Sequence, residues 1–422
     1  MDSAAQFSPH SNTENGGVYK WVLVGFLFLV AALNYADRSV LSAMYPLLQR
    51  ELRMTDLGLA GIGTVFLWSY AAASPFAGML GDRLPRRGII LVCLAGWSLV
   101  MAVTSRVSGD TQLLCMRFFL GVTEAFYIPA SVALISEYHG LKTRATAMAI
   151  HVAGMSVGAI AGGTYGGYIG EHYGWRPAIL YLGVTGVVLA AIGNCVIRRK
   201  ATLGPRVDAP AKPRVGVWHA TLTVLRNRLC VLVIFQAMLL SIGTWIFSNW
   251  LPLYFTQVFH MTLGGAGFAG TAALNLGSIL GILGGGWISD RAARRHPLNR
   301  FAVQAGLYCA AVPFLLLFFG STELNIVAFS IFGFSLCRAM GQASEVPILC
   351  ERLPNSSRAT AMGLFNCMNC LAGGLGILVS VRLKALFGLK VVFVGSSALI
   401  VLAGVLLFWG YAVARRRELA VL

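Results

Sequence analysis

Charge is scarce in this sequence. Asp, Glu, Lys and Arg make up 12% of its 422 residues, against about 25% in a soluble domain. A soluble protein of this length needs far more polar surface, so a soluble globular chain is excluded. Acidic residues are the rarer sign, 16 against 33 basic, which leaves a formal charge of +17. An excess of that size suits nucleic acid. Here, however, Lys and Arg sit in short loops between apolar runs, the pattern of membrane topology, and nucleic acid is set aside as a partner.

Other absences narrow the class further. Nine cysteines, mostly within apolar segments, give no disulfide framework. Cys367 and Cys370 form a C-x-x-C inside a helix-length apolar run, where packing is the default over redox or zinc chemistry. The sequence shows no metal cluster, nucleophile–base set or nucleotide loop, so no enzyme, cofactor or metal is expected. No signal peptide is expected either. Residues 1–19 read as a polar cytoplasmic tail, and the apolar run from Trp21 to Tyr45 is too long for a signal and lacks a small-residue cleavage site.

What the chain does have is apolar length. Hydrophobic residues reach 57%, and glycine contributes 48 positions, an excess that suits close packing of membrane helices. A span needs about 20 apolar residues. Twelve are predicted, at 20–45, 57–80, 88–105, 112–138, 145–170, 176–197, 229–257, 265–288, 300–319, 323–350, 358–384 and 389–414. The fold class is therefore all-α: a polytopic membrane protein of twelve transmembrane helices in two six-helix bundles, 20–197 and 229–414. A polar linker at 198–228, with Pro205, Pro210 and Pro213, joins the bundles, and a short tail at 415–422 follows. With the N-terminus placed inside, 23 Lys and Arg fall on the cytoplasmic side and 7 outside. That split predicts a multi-pass protein of the plasma or inner membrane with both termini cytoplasmic.

The halves repeat. Gly78-x-x-x-Asp82-Arg83-x-x-Arg86-Arg87 after span 2 returns as Gly286-x-x-x-Asp290-Arg291-x-x-Arg294-Arg295 after span 8. Arg144-Ala-Thr-Ala-Met148 returns as Arg358–Met362. Arg117, seven residues before Glu124 in span 4, matches Arg338, seven before Glu345 in span 10. Duplication alone does not give function, but it favours two moving bundles with a site between them.

These residues resemble the major facilitator superfamily over essentially the whole chain. The loop after span 2 is that family's most specific signature, and Arg117-x-x-x-Gly121 looks like a second motif. Span 5 carries Gly154-x-x-x-Gly158-Ala159-x-x-Gly162-Gly163; antiporters of the family usually have proline where Ala159 stands, so the departure leans toward symport. Two branches look similar. Organic anion:cation symporters share Tyr35-x-Asp37-Arg38, Arg117 with Glu124-Ala125, and Trp250-x-Pro252-x-Tyr254 at the end of span 7. Spinster-like lipid carriers share Asn34-Tyr35-x-Asp37-Arg38 and Gly121-Val-x-Glu124-Ala125. The span 7 ending favours the anion branch and implies proton-coupled symport of a small organic anion by a monomer. Transport of lysolipids or similar amphiphiles is the alternative. Met155 stands where some anion carriers have glutamine, which weakens the case for a polyhydroxylated substrate.

Six ionisable residues lie well inside spans: Asp37, Arg38, Arg117, Glu124, Arg338 and Glu345. Each costs at least about 2.5–3.5 kcal/mol at mid-bilayer, so they must be paired or line water. Asp37 and Arg38 are adjacent and point about 100° apart, so each needs a partner elsewhere. The simplest pairing sets Asp37 against Arg117 and Arg38 near Glu124. An arginine favours the charged form of an acid and desolvation the neutral form, which is a physical basis for proton coupling. The resemblance implies that Asp37, Glu124 and Arg117 carry coupling and that Arg38 contacts the anion. The same four are also compatible with structural ion pairs that hold the first bundle together. Arg338 and Glu345 depart from the symporter pattern: a second charge pair, a gate or a structural role all fit. Asn34, Tyr35, Tyr70, Trp250, Asn366 and Asn369 are further candidates for substrate binding. Asp82, Arg83, Arg86, Arg87, Asp290 and Arg291 are candidates for a conformational latch between bundles, with plain positive-inside anchoring as the other reading.

Overall fold

The computed structural model describes residues 16–81, 84–198 and 217–419. Among these no strand occurs, and twelve apolar crossings form the two bundles. Span 1 is Gly16–Ala43 and span 2 Asp56–Gly81, with a short helix Tyr45–Glu51 between them. Span 3 is Arg86–Thr104, span 4 Asp110–Glu124 with Tyr127–Tyr138, span 5 Leu141–Tyr173 and span 6 Trp175–Val196. The second half follows as span 7 (Arg228–Val258), span 8 (Leu263–Ala293), span 9 (Asn299–Gly320) and span 10 (Leu324–Gln342 with Glu345–Arg352). Spans 11 and 12 are one helical run, Asn355–Leu419, broken at Gly388. Span 1 begins before the expected Lys20, so residues 16–19 are helix rather than tail. The linker region holds a helix of its own, Val217–Arg226. The rest of the expected linker, 199–216, the tail before Gly16, and Asp82 and Arg83 lie outside the described residues.

Proline explains why spans 4 and 10 are each two helices. Pro129 and Pro347 stand third in the helices that resume at Tyr127 and Glu345. A proline offers no N–H to the carbonyl four residues back, and its ring crowds that carbonyl. Four back are Ala125 and Ala343, where the preceding helices end.

The duplication runs deeper than the three motifs in the sequence. Thr55 and Thr262 cap spans 2 and 8, each accepting a hydrogen bond at 3.2 Å from the N–H of a glycine three residues on. Each is preceded two residues earlier by a left-handed residue, Arg53 or His260. Gly174 (φ 89°) turns span 5 into span 6, and Gly388 (φ 78°) turns span 11 into span 12. Both have ψ near 160° (161° and 164°), backbone that only glycine adopts freely. Arg86 bridges Glu137 between spans 3 and 4, and Arg300 bridges Glu351 between spans 9 and 10.

We call the end that carries the inter-bundle linker the linker end, and the opposite one the far end. Span 5 is the central strut between bundles. A Cβ on Gly158 would lie 2.0 Å from the Ala32 carbonyl oxygen of span 1, and one on Gly167 would lie 2.1 Å from the Leu263 carbonyl oxygen of span 8. Backbones meet there directly, as close membrane-helix packing allows only at small residues. At the far end the halves are also joined by Lys384–Asp56 at 2.6 Å and by the Leu263 N–H donating to Glu171 at 3.0 Å. Nearer the middle, Thr64 donates to the Gly374 carbonyl at 3.0 Å and Trp68 to that of Leu371 at 3.2 Å.

Candidate functional site: a cavity between the two bundles

Below the far-end contacts lies an open cavity, walled by spans 1, 2, 4 and 5 on one side and 7, 8 and 11 on the other. Arg38 reaches its wall from span 1. The guanidinium Nε donates to Glu124 Oε2 at 2.9 Å, and Nη2 donates to Asn34 Oδ1 at 3.1 Å. Glu124 and Asn34 are fully buried, whereas the Arg38 side chain keeps 12% exposure. Tyr35, Phe66 and Tyr70 surround the guanidinium, with ring centroids 4.7, 4.9 and 5.1 Å from Cζ. Aromatic faces attract a cation by their quadrupoles, and more so where water is excluded. Arg38 is thus a buried cation held by one carboxylate, one amide oxygen and three rings, with an edge left toward the cavity.

Arg117, two turns before Glu124 on span 4, also lines the cavity. It meets Asp37 through the backbone: Nη1 donates to the Asp37 carbonyl oxygen at 3.2 Å. The expected carboxylate pairing is not made among the described residues. The adjacent Asp37 side chain is buried, and its Oδ1 has no hydrogen-bond donor. Four ionisable groups of spans 1 and 4 are therefore together, but one ion pair joins them rather than two.

The opposite wall is neutral and polar. Ser248, Asn249, Thr271 and Asn275 face the cavity beside Trp245, with Leu274 and Ile377 supplying apolar surface. Asn249 Oδ1 also accepts from Tyr45 at 2.7 Å, which seals the cavity toward the far end. Of the proposed binding residues, Tyr35 and Arg38 line the cavity, while Tyr70 and Asn34 stand behind Arg38. Trp250 does not line it: the ring is fully buried, its Nε1 donates to Ser380 at 2.8 Å, and the Lys384 ammonium lies 4.6 Å above it. One residue is a 100° turn of the helix, and that turn puts Asn249 in the cavity and Trp250 in the core. Asn366 and Asn369 are also absent from the lining, where span 11 contributes Ile377. Sequence reasoning missed Tyr45, Ser248, Asn249 and Thr271; the one available signal was an amide or hydroxyl inside an apolar run.

Arg338 and Glu345 lie away from this cavity and do not pair with each other among the described residues. Arg338 donates to Gln342 and, at 3.0 Å, to Ser278. Glu345 accepts from Gln236 at 3.0 Å and Tyr308 at 3.2 Å. The latch candidates bind inside their own bundles. Arg86 pairs with Glu137, and Arg87 donates to Asn194 Oδ1 at 2.6 Å. Asp290 accepts from Arg300 at 2.9 Å, and Arg291 lies 5.8 Å from the Trp287 ring. The described contacts of these residues each lie within one half of the protein.

Two six-helix bundles around a central polar cavity, with an ion pair buried beside it, are the architecture of a carrier. The Major Facilitator Superfamily model matches residues 27–377, and the chain belongs to that family. It is 24% identical to the probable galactarate/D-glucarate transporter GudP of Bacillus subtilis (strain 168), over 93% of this chain and 92% of that one. It is 26% identical to an MFS-type efflux pump of Mycolicibacterium smegmatis, over 84% and 82% of the two. Among solved structures, a bacterial homologue of the human lysosomal transporter Spinster, inward-facing and unoccupied, superposes with a TM-score of 0.77. That likeness covers 94% of this chain and 98% of the other at 18% identity, and it speaks to the fold.

Proposed function

We propose that the protein is a proton-coupled symporter of a small organic anion, of the hydroxy-acid or sugar-acid kind, working by alternating access. The observation that carries this reading is the Arg38–Glu124 pair at the cavity wall, 2.9 Å long, with Arg38 reachable from the cavity and Glu124 buried behind it. An incoming carboxylate competes with Glu124 for the same guanidinium, and arginine suits it because its fork offers two parallel donors. As Glu124 loses its cation it takes up a proton, since a lone carboxylate is costly in a buried site. Substrate charge replaces Glu124 charge at Arg38, so the loaded site keeps its net charge. Arg117 supplies a second positive group on the same wall. The neutral wall of Ser248, Asn249, Thr271 and Asn275 suits the hydroxyls of such an anion. A lysolipid carrier would want that wall apolar, and its amides and hydroxyls favour the anion.

Far-end contacts close the cavity on one side, and opening them while the linker end closes would complete the cycle. We take the linker end as cytoplasmic from the distribution of Lys and Arg. One chain encloses the whole cavity, which supports a monomer as the working unit.

The test is Glu124→Gln in reconstituted vesicles. Glutamine keeps the shape and a hydrogen-bonding oxygen for Arg38, but it cannot release a proton. Counterflow of D-glucarate against itself is expected to persist while uptake driven by a pH gradient stops. Proton-driven accumulation at the wild-type level in this variant would refute the assignment of Glu124.

A further inference from the structure

The second bundle holds a buried carboxyl that the central cavity does not use. Glu345 is 5% exposed and opens the second helix of span 10. Its hydrogen-bond partners are neutral. Gln236 of span 7 and Tyr308 of span 9 both donate to the same oxygen, Oε1, at 3.0 and 3.2 Å. Gln304 of span 9 donates in turn to the Tyr308 hydroxyl at 2.8 Å. All three neighbours are fully buried. Arg338, seven residues back on the first helix of span 10, turns to Gln342 and Ser278 instead. Tyr308 is the titratable group that faces Glu345 from span 9. Span 7 presents the neutral Gln236. On its own helix, Glu351 pairs with Arg300.

Hydrogen bonding in this cluster is short of donors. Gln236 Nε2 also donates to the Val233 carbonyl at 3.0 Å, which fixes the amide orientation and leaves its Oε1 without a donor. Gln304 Oε1 lacks one as well. The donor bonds of the cluster go to Glu345, Tyr308 and the Val233 carbonyl, and two buried amide oxygens remain empty. An unmet buried acceptor is costly, and so is a buried charge without a counter-charge. One proton on Glu345 removes the charge and supplies an O–H.

We propose that Glu345, with Gln236, Tyr308 and Gln304, forms a second proton-binding site in the C-terminal bundle, separate from the Asp37–Glu124 region. The site is held between spans 7, 9 and 10, and spans 7 and 10 also carry a cavity wall and the Arg338 helix. Any change in how span 7 sits against span 10 therefore alters the donors on Glu345 and with them its hold on the proton.

The proton is the ligand, so the first measurement needs no substrate. Infrared difference spectra of the purified protein are recorded across a pH titration, for wild type, Glu345→Gln and Glu124→Gln. The expected result is a protonated-carboxyl band that disappears in Glu345→Gln and persists in Glu124→Gln. In Tyr308→Phe, which leaves the carboxyl but removes a donor, the same band should persist to higher pH. A spectrum of Glu345→Gln that matches wild type at every pH overturns the proposal. So does a band that responds to sodium at fixed pH rather than to protons, which would make the cluster a sodium site. Failure of anion symport would leave these spectra unaffected, so the two readings can fail separately.

Discussion

The far-end closure makes a quantitative prediction about the balance between the two faces of the carrier. Lys384 holds Asp56 at 2.6 Å across the bundles and lies 4.6 Å over Trp250, with side-chain exposures of 12% for the lysine and 33% for the aspartate. A partly exposed pair of this kind contributes up to about 1 kcal/mol after screening. The contact with Trp250 lies inside the second bundle, so it stays when the bundles part and does not weigh on the balance. Lys384→Met removes the ion pair while keeping most of the stem's bulk, and the far-end-closed state should lose up to about 1 kcal/mol, a shift of up to roughly 5-fold in the equilibrium. Asp56→Asn removes the same pair from the other side and should shift it by a similar amount. Because the two residues share an interaction, the double variant should fall short of the sum of the singles. Spin labels at Ser108 and Thr322, far-end positions on opposite halves that are exposed, report the equilibrium as a distance distribution. The exposed Cys115, Cys195 and Cys309 are first replaced by serine. Strictly additive single-variant effects, or distributions that match wild type in all three variants, would refute the reasoning.

Two further outcomes follow from the site and the packing. On the proposed function, Arg38→Ala should weaken binding of the anion, with D-glucarate as the probe, at least about 10- to 150-fold, the equivalent of one lost charge-assisted hydrogen bond; calorimetry on a variant with wild-type elution and melting checks it, and retained affinity would remove Arg38 from the site. Gly158→Ala should lower the melting temperature sharply, because its Cβ meets the Ala32 carbonyl oxygen at 2.0 Å and overpacking typically costs about 1–3 kcal/mol. Gly306→Ala, with nothing within 4 Å, should leave it unchanged or raise it slightly; similar melting of the two variants would mean that the span 1–span 5 contact yields readily.

Much of this architecture is readable in the sequence, because hydrophobic length fixes a membrane span and repeated charged motifs fix the duplication. The buried charges were legible for the same reason: an ionisable residue in an apolar run stands out. What stayed hidden depends on helix phase and backbone angle. Asn249 and Trp250 are neighbours in sequence and lie a third of a turn apart, so which one meets the cavity is decided by packing. Asp37 and Arg117 are near each other as their residue types suggest, but rotation of span 1 brings the carbonyl rather than the carboxylate into reach. The matched pair Gly174 and Gly388 is invisible among 48 glycines until the positive φ singles it out.

That pair of glycines has a mechanical meaning. At the far end, span 5 passes into span 6 and span 11 into span 12 through one residue each, with no stretch of loose chain at either corner. A flap needs slack on both sides of its hinge, and these corners have none. The far side of the cavity therefore has no small lid at these corners that could flick open on its own. Exposing the site in that direction requires whole hairpins to tilt as brackets, parting a seam that runs from Lys384 down to Trp68. Water and substrate would enter along the length of that seam, and the speed of transport would be set by how quickly two large bodies can rock.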